Sequence, residues 1–134
     1  MMQENFTIGA LGKKAGVNVE TVRFYQRRGL LAEPEKPLSG IRRYTENDVL
    51  RVRFIKEAQK LGFSLAEIAD LLSLEDGRHC REAREIALRK LAAIRERIES
   101  LQGMERTLAD LVEHCTENND QAFCSIIAAL NRGL

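Results

Sequence analysis

Residues 7–29 read TIGALGKKAGVNVETVRFYQRRG, and this stretch decides the fold. Thr7 carries the side-chain oxygen of a helix N-cap, and Ile8, Leu11 and Ala15 behind it fall on one helical face. Gly16 is a natural stop, because a residue without Cβ enters the left-handed region at little cost. Asn18 then caps a second helix, VETVRFYQRR, which Gly29 closes. Two short helices joined by a glycine-containing turn of about three or four residues predict a helix-turn-helix over about 8–27. The second helix sets an apolar line of Val19, Val22 and the ring of Phe24 or Tyr25 against the polar reach of Glu20, Thr21, Arg23, Tyr25 and Arg27.

Downstream, LLAEPEKPLSGIRRY cannot continue as a helix through Pro34, Pro37 and Gly40. Leu30-Leu31 and Ile41 to Tyr44 read as two short strands around a turn, a β-wing over about 30–44. The wing ends in Arg42-Arg43-Tyr44, two guanidinium groups beside a phenol, which suits phosphate oxygens. Thr45-Glu46-Asn47-Asp48 is a capping box for a helix to about Leu61, ended by Gly62, and Ser64-Leu65-Ala66-Glu67 is a second for a helix to about Leu74. Glu75-Asp76-Gly77 reads as a loop.

From about Arg81 to Glu113 the chain contains no Pro and one Gly, Gly103. Ala87, Leu91, Ile94, Ile98, Leu101, Leu108, Val112 and Cys115 recur with a 4-3 alternation, interrupted only by Glu105. A repeat of 3.5 residues on a charged helix is a coiled-coil seam. A helix of about 33 residues reaches roughly 50 Å, too long for a chain of this size to bury. The seam therefore calls for a partner, most simply a second copy.

The 134-residue composition fits this organisation: 44% hydrophobic residues and 31% charged describe a globular chain, and few aromatics with no Trp favour helices over a sheet sandwich. No apolar run approaches the length of about 18 residues a spanning helix needs, so no membrane role is expected. The opening MMQENFTIGALGKKAGV lacks the pattern of a secretory signal, so a cytoplasmic location is expected. The net charge of +1 conceals an asymmetry: residues 13–60 hold 12 Lys/Arg against 6 Asp/Glu, and residues 75–134 hold 9 against 11. The first half carries the basic surface a nucleic acid would meet. A thiol enzyme is disfavoured, since no Cys-x-x-Cys occurs and neither His lies in a Gly-rich turn.

Three stretches together carry a resemblance: Thr21 to Leu30 (TVRFYQRRGL), Ile41-Arg42-Arg43-Tyr44, and Leu61 to Ile68 (LGFSLAEI). With them the whole chain resembles the MerR family of metal- and drug-responsive transcription regulators. The resemblance implies a mostly α fold: a winged helix-turn-helix DNA-binding domain over 5–75, a linker at 76–80, a dimerisation helix over 81–114 pairing as an antiparallel coiled coil, and a metal-binding loop with a terminal helix over 115–134. It also implies a homodimer that binds a palindromic operator in an over-long promoter spacer. Such a dimer represses without metal, and with metal distorts the DNA so that RNA polymerase can open the promoter. Arg23, Tyr25, Arg42, Arg43 and Tyr44 are the DNA-contact residues the resemblance implies, with Thr21 and Lys13 completing the set.

Within such an antiparallel dimer the head of one long helix lies beside the tail of the other. Cys80 at the head can then meet Cys115 and Cys124 of the partner chain, giving one three-sulfur site per protomer, shared across the interface. Three thiolates without a carboxylate or imidazole suit a soft ion; mercury(II) accepts low coordination, whereas zinc prefers four ligands and calcium or magnesium want oxygens. Cys124 precedes a short apolar helix (SIIAAL), and a thiol at a helix N-terminus has a lowered pKa. The run LEDGRHC (residues 74–80) and the spacing of Cys115 and Cys124 resemble the mercury-responsive branch of the family. Monovalent-ion sensors generally have Ser where Cys80 stands. His114 beside Cys115, His79 beside Cys80, and Ser125 where the mercury branch commonly has Pro keep zinc, cadmium and lead as alternative ions.

Overall fold

The computed structural model describes residues 5–38, 40–74, 77–115 and 124–133. Among them are six helices: α1 (Ile8–Ala15), α2 (Val19–Arg27), α3 (Glu46–Lys60), α4 (Leu65–Leu72), α5 (Cys80–Glu113) and α6 (Ser125–Arg132). The chain falls into two compact units, Met1–Ile86 and Ala87–Leu134.

Helix boundaries in the first unit follow the capping chemistry of the sequence. Thr7 accepts a hydrogen bond from the Ala10 amide, and Asn18 accepts from the Thr21 amide at 2.8 Å. Thr45 with Asp48, and Ser64 with Glu67, form both halves of their capping boxes. Each such cap contributes about 1 kcal/mol and sets the residue at which its helix begins.

The turn between α1 and α2 is braced from a distance. Gly16 adopts φ of 76°, and Val17 donates its amide to the Gly12 carbonyl at 2.9 Å. A Cβ on Gly12 would sit 2.7 Å from the Val17 carbonyl oxygen, so the turn closes only over a residue without a side chain. From α3, Arg53 donates to the Lys14 carbonyl at 2.8 Å and Lys56 to the Gly16 carbonyl at 2.9 Å. Two cations on the carbonyl-rich end of α1 oppose the negative pole of the helix and fix α3 against the turn.

The core lies between α1, α2, α3 and α4. Leu11, Val22, Val52, Ile55 and Ile68 are fully shielded from solvent, with Val49 and Tyr44 nearly so. In α3 the buried residues Val49, Val52, Ile55 and Ala58 step by three, forming one inward stripe. Leu30 and Leu31 also turn into this core, and this changes the expected wing. Among the described residues no strand forms; the sole bridge pairs Tyr44 with Phe6, antiparallel, through reciprocal 2.7 Å hydrogen bonds. Leu30 instead donates its amide to the Tyr25 carbonyl as the closing turn of α2. Burial of both leucine side chains outweighs the local signal for a strand at 30–31.

α5 begins in the first unit and continues into the second, which also holds α6. The 34 residues of α5 include none that is buried. Leu91, Ile94, Ile98, Leu101, Leu108 and Val112, the expected seam, are between 39% and 63% exposed. The loop TENNDQAF (116–123), and Glu75 and Asp76 of the expected loop and linker, lie outside the described residues. No described helix is long and apolar enough to cross a membrane.

Candidate functional site: a basic cleft and a thiol pair

The basic excess of residues 13–60 divides into two populations. Arg53 and Lys56 brace the helix-turn-helix, and Lys14 lies 4.5 Å from the centre of the Phe6 ring. Arg23, Arg27, Arg28, Arg42 and Arg43 are exposed. Arg23 and Arg27, one turn apart on α2, border an open cleft of about 490 Å³ together with Gln26, Lys36, Arg42 and Tyr44.

Inside this cleft the cations are lightly held. Arg23 pairs with Glu20 at 3.0 Å, and Arg42 Nε sits 3.1 Å from both Glu33 Oε1 and the Pro34 carbonyl. Both pairs are well exposed, where such bridges contribute about 0–1 kcal/mol, so an incoming phosphate can replace the carboxylate. Arg43 and Lys13 are exposed, and neither borders the cleft. The Thr21 hydroxyl donates to Asn18 Oδ1 at 2.9 Å as part of the α2 cap.

The two tyrosines of the expected contact set differ from the arginines. Tyr25 is 2% exposed and donates its hydroxyl to Gln59 of α3 at 2.6 Å, and burial raises its pKa. It is a core residue that ties α2 to α3. Its helical position placed it on the boundary between the faces, and tertiary packing chose the inner one. Tyr44 is equally buried, yet its hydroxyl borders the cleft, where it accepts a 2.7 Å hydrogen bond from Gln26. Arg27 and Lys36 were absent from the expected set; Arg27 sits four residues beyond Arg23, a spacing that shares one helix face.

The thiols are distributed between the units. Cys80 is the exposed first residue of α5, in the first unit. Cys115 and Cys124 come together in the second. Cys115, half-buried, donates its amide to the Val112 carbonyl at 3.1 Å just past the end of α5. Cys124, exposed, occupies the N-cap position of α6. A long 3.4 Å hydrogen bond from the Ser125 hydroxyl to the His114 carbonyl sets the start of α6 beside the end of α5. The Cys124 sulfur makes no full capping bond, yet the amides of Ile127 and Ile126 at the open end of α6 hold its pKa below the ordinary thiol value, with a smaller contribution from a hydrogen bond to the Cys115 thiol. His114 donates Nδ1–H to the Asp110 carbonyl at 2.7 Å, and His79 Nδ1 lies 3.8 Å from Glu82. Among the described residues of this single chain, no three His, Cys, Asp or Glu side chains converge.

Comparison with known proteins decides the family. A family model described as MerR HTH family regulatory protein matches residues 6–75, more than half the chain, and one described as MerR, DNA binding matches residues 49–111. The chain belongs to the MerR family. Within it, the chain is 57% identical over 130 residues to the mercuric resistance operon regulatory protein of Pseudomonas fluorescens, covering 97% of this chain and 90% of that protein. A solved structure of the dual function transcriptional regulator MerR of Bacillus megaterium MB1, in complex with mercury(II) ion, matches with a TM-score of 0.72 and 42% identity over 94% of this chain and 99% of that one. The transcription regulator PbrR691 of Ralstonia metallidurans CH34, in complex with lead(II), matches with a TM-score of 0.81 and 35% identity over 93% and 98%. Membership places the basic cleft in the DNA-binding part of a MerR regulator, and makes this chain a regulator rather than an enzyme.

Proposed function

We propose that this chain is a mercury(II)-responsive transcription regulator acting as a homodimer. Residues 5–75 bind a palindromic operator, 76–80 link, 81–114 dimerise as an antiparallel coiled coil, and 115–134 hold metal. Arg23, Arg42 and Arg43, joined by Arg27 and Lys36, meet the DNA backbone. Thr21, Lys13 and the Tyr44 hydroxyl supplement them, and Tyr25 supports α2 from inside. Without metal the dimer holds the over-long promoter spacer in an unproductive form. With metal it distorts the DNA for RNA polymerase, through the geometry of the duplex rather than through base contacts.

The observation that carries this reading is the thiol arrangement: Cys115 just past one end of α5, Cys124 at the N-cap of α6, whose first residue is hydrogen-bonded back to His114, and Cys80 at the other end of α5. In an antiparallel dimer each pair gains the partner's Cys80. The donor set fits a soft ion, since all three members are thiols and the helix-end amides lower the pKa of one of them. The exposed seam on α5 supports the dimer, because completing the burial of each half-exposed Leu or Ile contributes about 1 kcal/mol. Moving a two-state dimer from 1:99 to 99:1 requires about 5.5 kcal/mol of preference for the active form, so the three sulfurs must converge better in one form than the other.

The test is titration of the purified dimer with mercury(II), zinc, cadmium and lead under a competing small thiol, alongside promoter activity in cells. Mercury-selective binding and induction, both lost in Cys80→Ser, Cys115→Ser and Cys124→Ser, are expected. Mercury binding that survives Cys80→Ser would remove the shared site. Sensing of zinc, cadmium or lead by the same fold is the second reading, favoured by His114 beside the thiol pair and by the likeness to the lead-bound regulator.

A further inference from the structure

The apolar seam of α5 carries one charge. Leu101, Glu105, Leu108 and Val112 follow one another at steps of four, three and four, so Glu105 stands in the seam itself. In the single chain it is exposed to solvent. Once a second helix covers the seam its carboxylate loses water, which is costly unless a cation takes the place of that water. In a parallel, in-register pair of helices Glu105 would face the same residue of the other copy, setting two like charges together. An antiparallel pair brings a different residue opposite.

The spacing of the thiols fixes which residue that is. Where Cys80 lies level with the partner's Cys115, two helices of equal rise run in opposite directions. Counting ten residues inward from each thiol then reaches Lys90 on one helix and Glu105 on the other. Lys90 follows Ala87 by three and precedes Ile94 by four, so it borders the seam, whereas Arg89 lies on the far side of the helix from it. Lys90 is also the one lysine of α5.

We propose that Glu105 and the partner's Lys90 form an ion pair, twice in each dimer, that selects the antiparallel orientation and holds its register. One polar residue within an apolar seam has this effect, at a cost in affinity. Register matters to sensing, because a slip of one heptad moves Cys80 by about 10 Å along the partner helix, out of reach of the thiols it is proposed to join. The pairing rests on the proposed antiparallel dimer, and it can fail while that dimer stands.

A water-soluble carbodiimide joins a lysine to a carboxylate without a spacer, and so links only groups in contact. Fifteen residues of helix hold Lys90 and Glu105 of one chain about 22 Å apart, so an amide between them can form only between chains. The expected product from the full-length dimer is a covalent dimer whose tryptic mass map contains the Lys90–Glu105 amide. Charge reversal supplies the energetic arm. Glu105→Lys and Lys90→Glu should each weaken dimerisation at least about tenfold in sedimentation equilibrium, and the two together should restore it to within about threefold. A stable dimer in which Lys90 links only to other carboxylates, or in which the double reversal is as weak as the two single reversals combined, overturns the pairing and leaves the shared thiol site to the mercury titration. A chain that stays monomeric overturns the pairing and the dimer together.

Discussion

Placing the same substitution at two glycines of α1 separates a turn constraint from helix propensity. Gly9→Ala puts a Cβ in open space, with Thr7 Oγ1 the nearest atom at 4.0 Å. It should stabilise the protein by about 0.5–1 kcal/mol through the lower entropy of the unfolded chain. Gly12→Ala carries a similar propensity gain, but its Cβ meets the Val17 carbonyl oxygen at 2.7 Å, some 0.7 Å inside ordinary contact. That oxygen is backbone and cannot rotate away. Val17 is held by the hydrogen bond its amide donates to the Gly12 carbonyl, and the residues around it by the Lys56 contact to Gly16 and the Asn18 cap. Overpacking of this kind costs about 1–3 kcal/mol, so a net loss of about 1–2 kcal/mol is expected once the propensity gain is subtracted. Urea denaturation followed by far-UV circular dichroism gives both values, at one fixed protein concentration because dimerisation contributes to apparent stability. Operator affinity should fall in Gly12→Ala even under conditions where the variant is fully folded, since the strained turn sets the angle of α2. A Gly12→Ala protein at least as stable as the parent, with unchanged operator affinity, would refute the reasoning.

Arg42→Ala should leave stability within about 1 kcal/mol, since its ion pair with Glu33 is exposed, while lowering the slope of operator affinity against salt by about one; a binding titration at several salt concentrations measures it. Ile98→Glu, in the middle of the exposed α5 seam, should shift the dimer to monomer in sedimentation equilibrium, because a carboxylate would have to be desolvated in the apolar interface. Cys124 in the metal-free protein should alkylate with a pH midpoint below the ordinary thiol value: a lowered pKa means the thiolate persists as pH falls, and mass mapping of iodoacetamide labelling reads it. Thr45→Ala should remove the side-chain half of its capping box, leaving the residue 45 amide to donate to Asp48, and cost about 1 kcal/mol in thermal or urea unfolding.

Most helix positions were legible from local chemistry. Thr7, Asn18, Thr45 and Ser64 cap where they stand, Gly16 reverses where it stands, and the 4-3 spacing on α5 remains exposed as a seam should. These signals act within about four residues, so they are written in the chain before it folds. The three thiols and the basic first half were equally visible, because charge and softness belong to residue types.

Tertiary packing decided the choices that local chemistry leaves balanced. Tyr25 stands on the boundary of the α2 faces, and the acceptor on Gln59, 34 residues away, drew it into the core. Leu30 and Leu31 had a strand signal, yet the core offered more apolar burial than a two-residue ribbon, and Tyr44 paired with Phe6 instead. Arg53 and Lys56 look like surface cations along the chain; only the approach of α3 to the end of α1 turns them into braces for the turn. The placing of Cys124 near the end of α5 likewise depends on the hydrogen bond from Ser125 to His114. Each outcome joins residues distant in sequence, and its free energy comes from burial and hydrogen bonds that exist only once both partners are in place.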